Sequence, residues 1–352
     1  MSTSKKHSQL YRWAVFATAL ASVVVILGAF TRLSDAGLGC PDWPGCYGHL
    51  TWPKSEAAVV LAEARFPDSP VEHDKTWPEM VHRYFAGLLG LVILGIAIVS
   101  WQSTKSEGSE LPRKHALGLL ILVVVQALFG MWTVTLKLWP QIVTAHLLGG
   151  FATLSLLWLF AQRSSQKTWL VPTEKYRQLG SLKRLAIIAL IALIAQIGLG
   201  GWTSSNYAAL ACTDFPTCHQ QWWPETDFKH AFNFAQTIGP NYLGGLLEGE
   251  ARTAIHLSHR IGALLVTLLI TLLAIKLVRF GEPAAKFFAK LLLLVLIAQV
   301  SLGISNVLLS LPLSIAVAHN AGGALLLLVM VTLLHRLYGA KVVTTQNSKE
   351  VS

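Results

Sequence analysis

The 352-residue chain is 53% hydrophobic and 13% charged, with a mean hydropathy of +0.53, which is about half the charged share of an average soluble domain. That composition excludes an ordinary soluble enzyme and points to a protein that lives in a bilayer. The formal net charge of +10 is explained by basic residues gathered on one side of the membrane, so no nucleic-acid partner is read from it.

Apolar stretches of roughly 20 residues, the length that crosses a bilayer, fall at about 11–31, 79–101, 113–136, 140–162, 184–204, 252–278, 287–309 and 314–337. The predicted fold is all-α integral membrane, with eight transmembrane helices and both termini on one side. Lys5, Lys6, Arg12, Lys105, Arg113, Lys114, Arg163, Lys167, Lys175, Arg177, Lys183, Arg184, Lys276, Arg279, Lys286, Lys290, Arg336, Lys341 and Lys349 are 19 of the 28 basic residues. By the positive-inside bias their segments are expected to be cytoplasmic. Asp35, Asp42, Glu56, Asp68, Glu72, Asp214, Glu225 and Glu248 lie on the opposite face. The expected location is a bacterial inner membrane with the long loops in the periplasm.

The first span, with its basic start and small residues such as Ala17 and Ala19, loosely fits a secretory leader. It is read as a helix of the bundle because it has a full partner later in the chain. A long external loop at about 32–78 carries Cys40 and Cys46 around Pro44. The second span opens on Glu79, His82 and Arg83, and the fourth, after a short connection at Pro140, holds His146 ahead of Gly149 and Gly150. A basic linker follows, and the pattern begins again. Gly28, Thr31, Cys40, Pro44 and Cys46 each have a counterpart 172 residues on, at Gly200, Thr203, Cys212, Pro216 and Cys218. Gln126, Gly130 and His146 recur after 173 residues at Gln299, Gly303 and His319, and His82 after 177 at His259. Such self-similarity marks a duplicated unit. The expected architecture is two pseudo-symmetric four-helix bundles, 1–165 and 184–352, joined by a cytoplasmic linker at 166–183 and related by an axis along the membrane normal.

The cysteines read as two staples, Cys40–Cys46 and Cys212–Cys218, in an oxidising compartment. They are either structural closures of a proline-containing turn or a thiol pair exchanging electrons with a periplasmic carrier. A zinc site is disfavoured for want of further ligands at zinc spacing, although His49 and His219 follow the second cysteines.

A lone histidine on an apolar helix is usually a packing residue, but His82, His146, His259 and His319 form two matched pairs, and ionisable residues inside spans are expensive to place there. All are expected in the first turn or two of helices entering from the outside, at one depth. Ala86, Gly149, Gly150, Gly262, Ala263, Gly322 and Gly323, three or four residues further on or beside those positions, share their faces and would leave a slot for a porphyrin; close helix packing would equally use such small residues. Arg83 and Arg260 suit either a haem propionate or snorkelling to the interface. Glu79 differs chemically from its counterpart His256. It is either a first-turn acid or a proton donor or acceptor beside a haem edge. Two pockets that differ by one carboxylate suggest one tightly held cofactor and one haem that is acted upon.

The eight spans, Glu79-x-x-His82-Arg83, His146, His259-Arg260, His319 and the paired external cysteines resemble the heme A synthase family over about residues 11–338. The resemblance implies oxidation of the C8 methyl of heme O to the formyl of heme A, through an alcohol and a hydrate that loses water. It further implies a heme b cofactor on His259 and His319, with Arg260 beside it, and substrate heme near His82, His146 and Arg83. It assigns Glu79 as the catalytic residue. Implied partners are the heme O synthase (protoheme farnesyltransferase) that supplies substrate, haem-copper oxidases that take the product, membrane lipid, and an electron donor of unspecified class. The rival expectation is a diheme cytochrome b-type electron carrier, which accounts for the histidines but not for Glu79 or the stapled loops.

Overall fold

A computed structural model describes residues 3–102, 113–165 and 168–343. Lys105, Lys167 and Lys349, counted above in the charge bias, lie outside the described residues.

Eight long helices carry the apolar spans: α1 (Thr3–Leu33), α3 (His73–Trp101), α4 (Arg113–Thr135), α5 (Pro140–Ser164), α7 (Leu179–Ser205), α9 (Gly249–Phe280), α10 (Pro283–Leu308) and α11 (Leu313–Tyr338). Short helices α2 (Glu56–Arg65) and α8 (Phe228–Ala231) lie in the two long loops, and α6 (Thr173–Tyr176) lies between α5 and α7. Local chemistry sets several ends. Pro140 and Pro283 occupy the first helical turn, where a missing N–H costs nothing. Gly281, at φ 85°, closes α9 in the left-handed conformation that glycine adopts freely. Ser55 caps α2 by accepting from the Ala58 amide at 3.3 Å. The tight α4–α5 and α10–α11 turns each use two consecutive left-handed residues, Lys137 with Leu138 and Ser310 with Leu311.

α1, α3, α4 and α5 close one ring of contacts, and α7, α9, α10 and α11 close another. The rings meet where α5 packs on α7 and α11, and α1 packs on α11. At this seam residues touch their own repeat counterparts: Arg32 Nη2 donates to the Ser204 carbonyl at 2.5 Å, and the Tyr207 hydroxyl donates to Asp35 at 3.0 Å, both pairs being 172 residues apart. Deeper in, the Trp158 indole donates to the Thr332 hydroxyl at 2.7 Å. The second long loop also reaches across the seam, where the Tyr242 amide donates to the Lys137 carbonyl at 3.0 Å.

The segment expected to be a plain linker is structured. Leu170–Val171 (β1) pairs in parallel with Lys341–Val342 (β2) of the tail, and Lys175 bridges to Glu282 at 2.7 Å.

Packing differs between the two ends of the bundle. Toward the termini a continuous core, including Leu10, Ile93, Leu119, Leu157, Phe160, Leu182, Ile270, Leu277, Leu292 and Leu333, is almost completely buried. Toward the long loops it opens: every residue from Gln141 to Gly150 and from Gln196 to Gly200 is only half-buried, although α5 packs against four other helices. Close packing is the normal state of a protein interior, so this loosened layer is the place for a guest.

Candidate haem-binding site

All four paired histidines lie in the open layer and are half-buried. α3 and α9 begin earlier than expected, at His73 and Gly249. His82 and His259 therefore sit more than two turns in, because both helices project into the loop layer before entering the apolar stretch. His146 feels the charge of His82, and His259 that of His319, so the expected pairs are the spatial pairs.

Each ring rests on a glycine of a neighbouring helix. A Cβ placed on Gly28 of α1 would stand 2.9 Å from His82 Cε1, and one on Gly200 of α7 would stand 3.2 Å from His259 Cε1. The equivalent gaps are 3.4 Å from Gly130 of α4 to His146 and 3.0 Å from Gly303 of α10 to His319. Bare backbone at these four places lets the imidazole edges pass. One helical turn before each glycine stands Val24, Gln126, Gln196 or Gln299. The glutamines fill the space over Gly149, Gly262 and Gly322. Those three glycines, read from the sequence as the floor of a porphyrin slot, are instead covered by amides from the adjacent helix.

The ring nitrogens divide the pairs. His259 Nδ1 lies 3.0 Å from Gln196 Nε2, which also donates to the His259 carbonyl at 2.8 Å. His319 Nδ1 lies 3.2 Å from the Gln299 carbonyl. The Nδ1 atoms of His82 and His146 are buried without a hydrogen-bond partner.

Glu79 is buried and ties the α3 start to the first stapled loop. Its Oε2 accepts from the Cys40 amide at 3.0 Å and its Oε1 pairs with Arg83. In the other ring the Cys212 amide donates to His256 Nδ1 at 3.3 Å. Glu79 and His256 thus perform one structural task with different chemistry. Both disulfides are formed, with Cα–Cα separations of 4.8 Å for Cys40–Cys46 and 4.9 Å for Cys212–Cys218. Arg83 donates to the carbonyls of Asp42, Pro44 and Gly45 at 2.9, 3.3 and 2.6 Å. Arg260 donates to those of Thr217, Cys212 and Asp214 at 2.8, 3.2 and 2.8 Å. Both guanidinium groups are thereby turned to the loops, so their effect on the open layer runs through loop placement. Within the loops Asp42 accepts from the amides of Tyr47 and Gly48, and Asp214 from those of His219 and Gln220.

The donor set matches a macrocycle better than a bare ion. Among the described residues no three His, Cys, Asp or Glu side chains converge as a metal cluster, whereas a protein zinc site wants three or four such ligands. A haem supplies four equatorial nitrogens itself and asks for one or two axial imidazoles. Paired, half-buried imidazoles in an apolar, loosely packed layer fit that demand. Sequence reasoning missed the Gly–His contacts and the role of Gln196; the recurrent Gln-x-x-x-Gly spacing was the signal that could have found both.

Comparison with known proteins adds a separate line of support. A family model described as cytochrome oxidase assembly protein (COX15-CtaA) matches residues 11–331. The chain is 46% identical over 311 residues to the heme A synthase of Shewanella oneidensis, covering 88% of this chain and 91% of that one. It is 27% identical over 329 residues to the heme A synthase of a Chelativorans species, covering 89% and 86%. With the human heme A synthase COX15 it shares 27% identity over 339 residues, covering 90% and 79%.

Proposed function

The chain belongs to the COX15-CtaA family of cytochrome oxidase assembly proteins, and from that membership we propose that it is a heme A synthase, a multi-pass membrane oxidoreductase converting heme O to heme A. The reaction oxidises the C8 methyl of heme O by successive hydroxylation, through an alcohol to a hydrate that loses water and leaves the formyl group.

The work divides between the two rings, 1–165 receiving substrate and 184–352 holding the cofactor, with 166–183 between them on the cytoplasmic side. His82 and His146 bind the substrate haem. His259 and His319 hold a heme b, which when bound supplies one-electron transfer, since an iron with two imidazole ligands has no open position. Glu79 holds or moves a proton at the substrate pocket, with Arg83 fixing its carboxylate and the Cys40 amide orienting it. Arg260 secures the second loop over the cofactor pocket. Lipid-facing apolar walls accept the isoprenoid tail of the substrate. Heme O synthase supplies the substrate, a haem-copper oxidase receives the product, and the long loops face the periplasm.

The observation that carries this reading is the pair of matched imidazole couples that differ at one point, Glu79 in one ring and His256 in the other. Pigment extraction from cells expressing the chain tests it. Formyl-bearing haem that appears only with this gene is the expected result; purified protein binding only unmodified haem b, with no conversion in cells that make heme O, overturns it.

A further inference from the structure

We propose that Gln196 is the positioning residue that makes the His259–His319 pocket retain its haem, and that Val24 at the matching place leaves the His82–His146 pocket free to exchange. This deepens the two-haem reading above and rests on it.

Val24 and Gln196 stand four residues before Gly28 and Gly200, the glycines on which His82 and His259 rest. They occupy one position of the repeat. Gln196 Nε2 is 3.0 Å from His259 Nδ1 and 2.8 Å from the carbonyl of the same residue, so a single amide fixes both the ring and its backbone. Its Oε1 is buried and has no partner. An amide carries a donor and an acceptor on one carbon, and a half-turn presents either to Nδ1. Gln196 can therefore serve the ring when Nδ1 is bare and when Nδ1 bears the proton, the form in which Nε2 is free to face a metal. Val24 can do neither, and His82 Nδ1 is left buried without a partner.

The other member of each pair follows the same division. His319 Nδ1 meets the Gln299 carbonyl at 3.2 Å, while His146 Nδ1 meets nothing. Hydrogen bonds to the far nitrogen of a metal-binding histidine fix ring orientation and raise ligand basicity, and their loss lowers metal affinity by about 10–100-fold. A cofactor that stays and a substrate that must leave call for opposite settings of this contact, and the two rings show opposite settings.

The test uses full-length protein purified with its haem in detergent, recording haem loss to excess apomyoglobin, the reduced α-band and the midpoint potential. Gln196→Val is expected to release haem about 10–100-fold faster and to shift the α-band. Gln196→Glu, which still accepts from Nδ1–H and adds charge, is expected to keep the haem and lower its potential. The converse, Val24→Gln, is expected to slow haem loss from the first ring. Release rates, spectra and potential unchanged in Gln196→Val, or an unchanged slow-exchanging fraction in Val24→Gln should the first variant not fold, overturn the proposal. Wild-type protein that carries no haem at all would instead overturn the two-haem reading.

Discussion

Glu79 has two tasks at one carboxylate, and substitutions separate them. Glu79→Gln keeps an oxygen for the Cys40 amide, so the first loop and bound haem should persist while conversion falls about 10²–10⁴-fold, the span of general acid–base assistance. Full turnover in that variant, read as heme A per enzyme, would remove the proton from Glu79's role. Glu79→Ala also strands a buried amide and a guanidinium partner, adding a cost of about 1–3 kcal/mol that thermal unfolding should register. Asp214 yields a pH expectation. It is fully exposed, yet the Thr217 hydroxyl first, and then the Gln220 and His219 amides, hold its carboxyl down to about 2 from 3.8. A carboxyl lowered by folding supports the fold above its unfolded value and loses that support as pH falls from about 4 to 2. Hydrogen exchange at the His219 and Gln220 amides should therefore stay slow at pH 5 and accelerate by pH 2. At this scale the four histidines were legible because ionisable side chains stand out against apolar spans. Gln196 was not, since a lone amide in a helix does not say which neighbour it faces. The partner of Glu79 was hidden as well: Cys40 is 39 residues away in sequence.

Helix spacing is the next level, where the glycines under the imidazoles set how closely two axes can approach. Gly28→Ala would put a methyl 2.9 Å from His82 Cε1, closer than carbon atoms pack, so the ring must shift. The expected result is a changed haem spectrum or lower haem content. Gly87→Ala, on the outer face of α3 with nothing within 4 Å of the added carbon, should leave the spectrum alone and gain up to about 1 kcal/mol of helix propensity. Equal spectral effects from both would deny the Gly–His contact its role. All eight long helices were readable from hydropathy because bilayer thickness dictates their length. The early starts of α3 and α9 were not, because their first turns lie among polar loop residues such as His73, Asp74 and Glu250.

For the molecule as a whole, the repeat is what sequence offsets reveal best, because matched glycines, cysteines and histidines survive duplication at almost constant spacing. How the tail is secured was not visible there, since two-residue strands leave no pattern. The clip between Leu170–Val171 and Lys341–Val342 covers Val171, which is completely buried, and sits beside Trp169 packed edge-on against Phe280. A chain ending at Gly339 should lose about 1.5–3 kcal/mol, the worth of burying one such side chain, seen as a lower melting temperature with the haem spectrum intact. An unchanged melting temperature would show the clip to be idle.

The contacts at the seam between the two rings have a further consequence. Arg32 meets Ser204, and Asp35 meets Tyr207, so each place on one side faces the same place on the other, occupied by a different residue. Two copies of the first ring brought together in that way would set guanidinium against guanidinium and carboxylate against carboxylate. Divergence at four positions has thus turned what symmetry would allow as a self-pairing surface into one that accepts only its unlike sibling, and like charge bars the way back to twins.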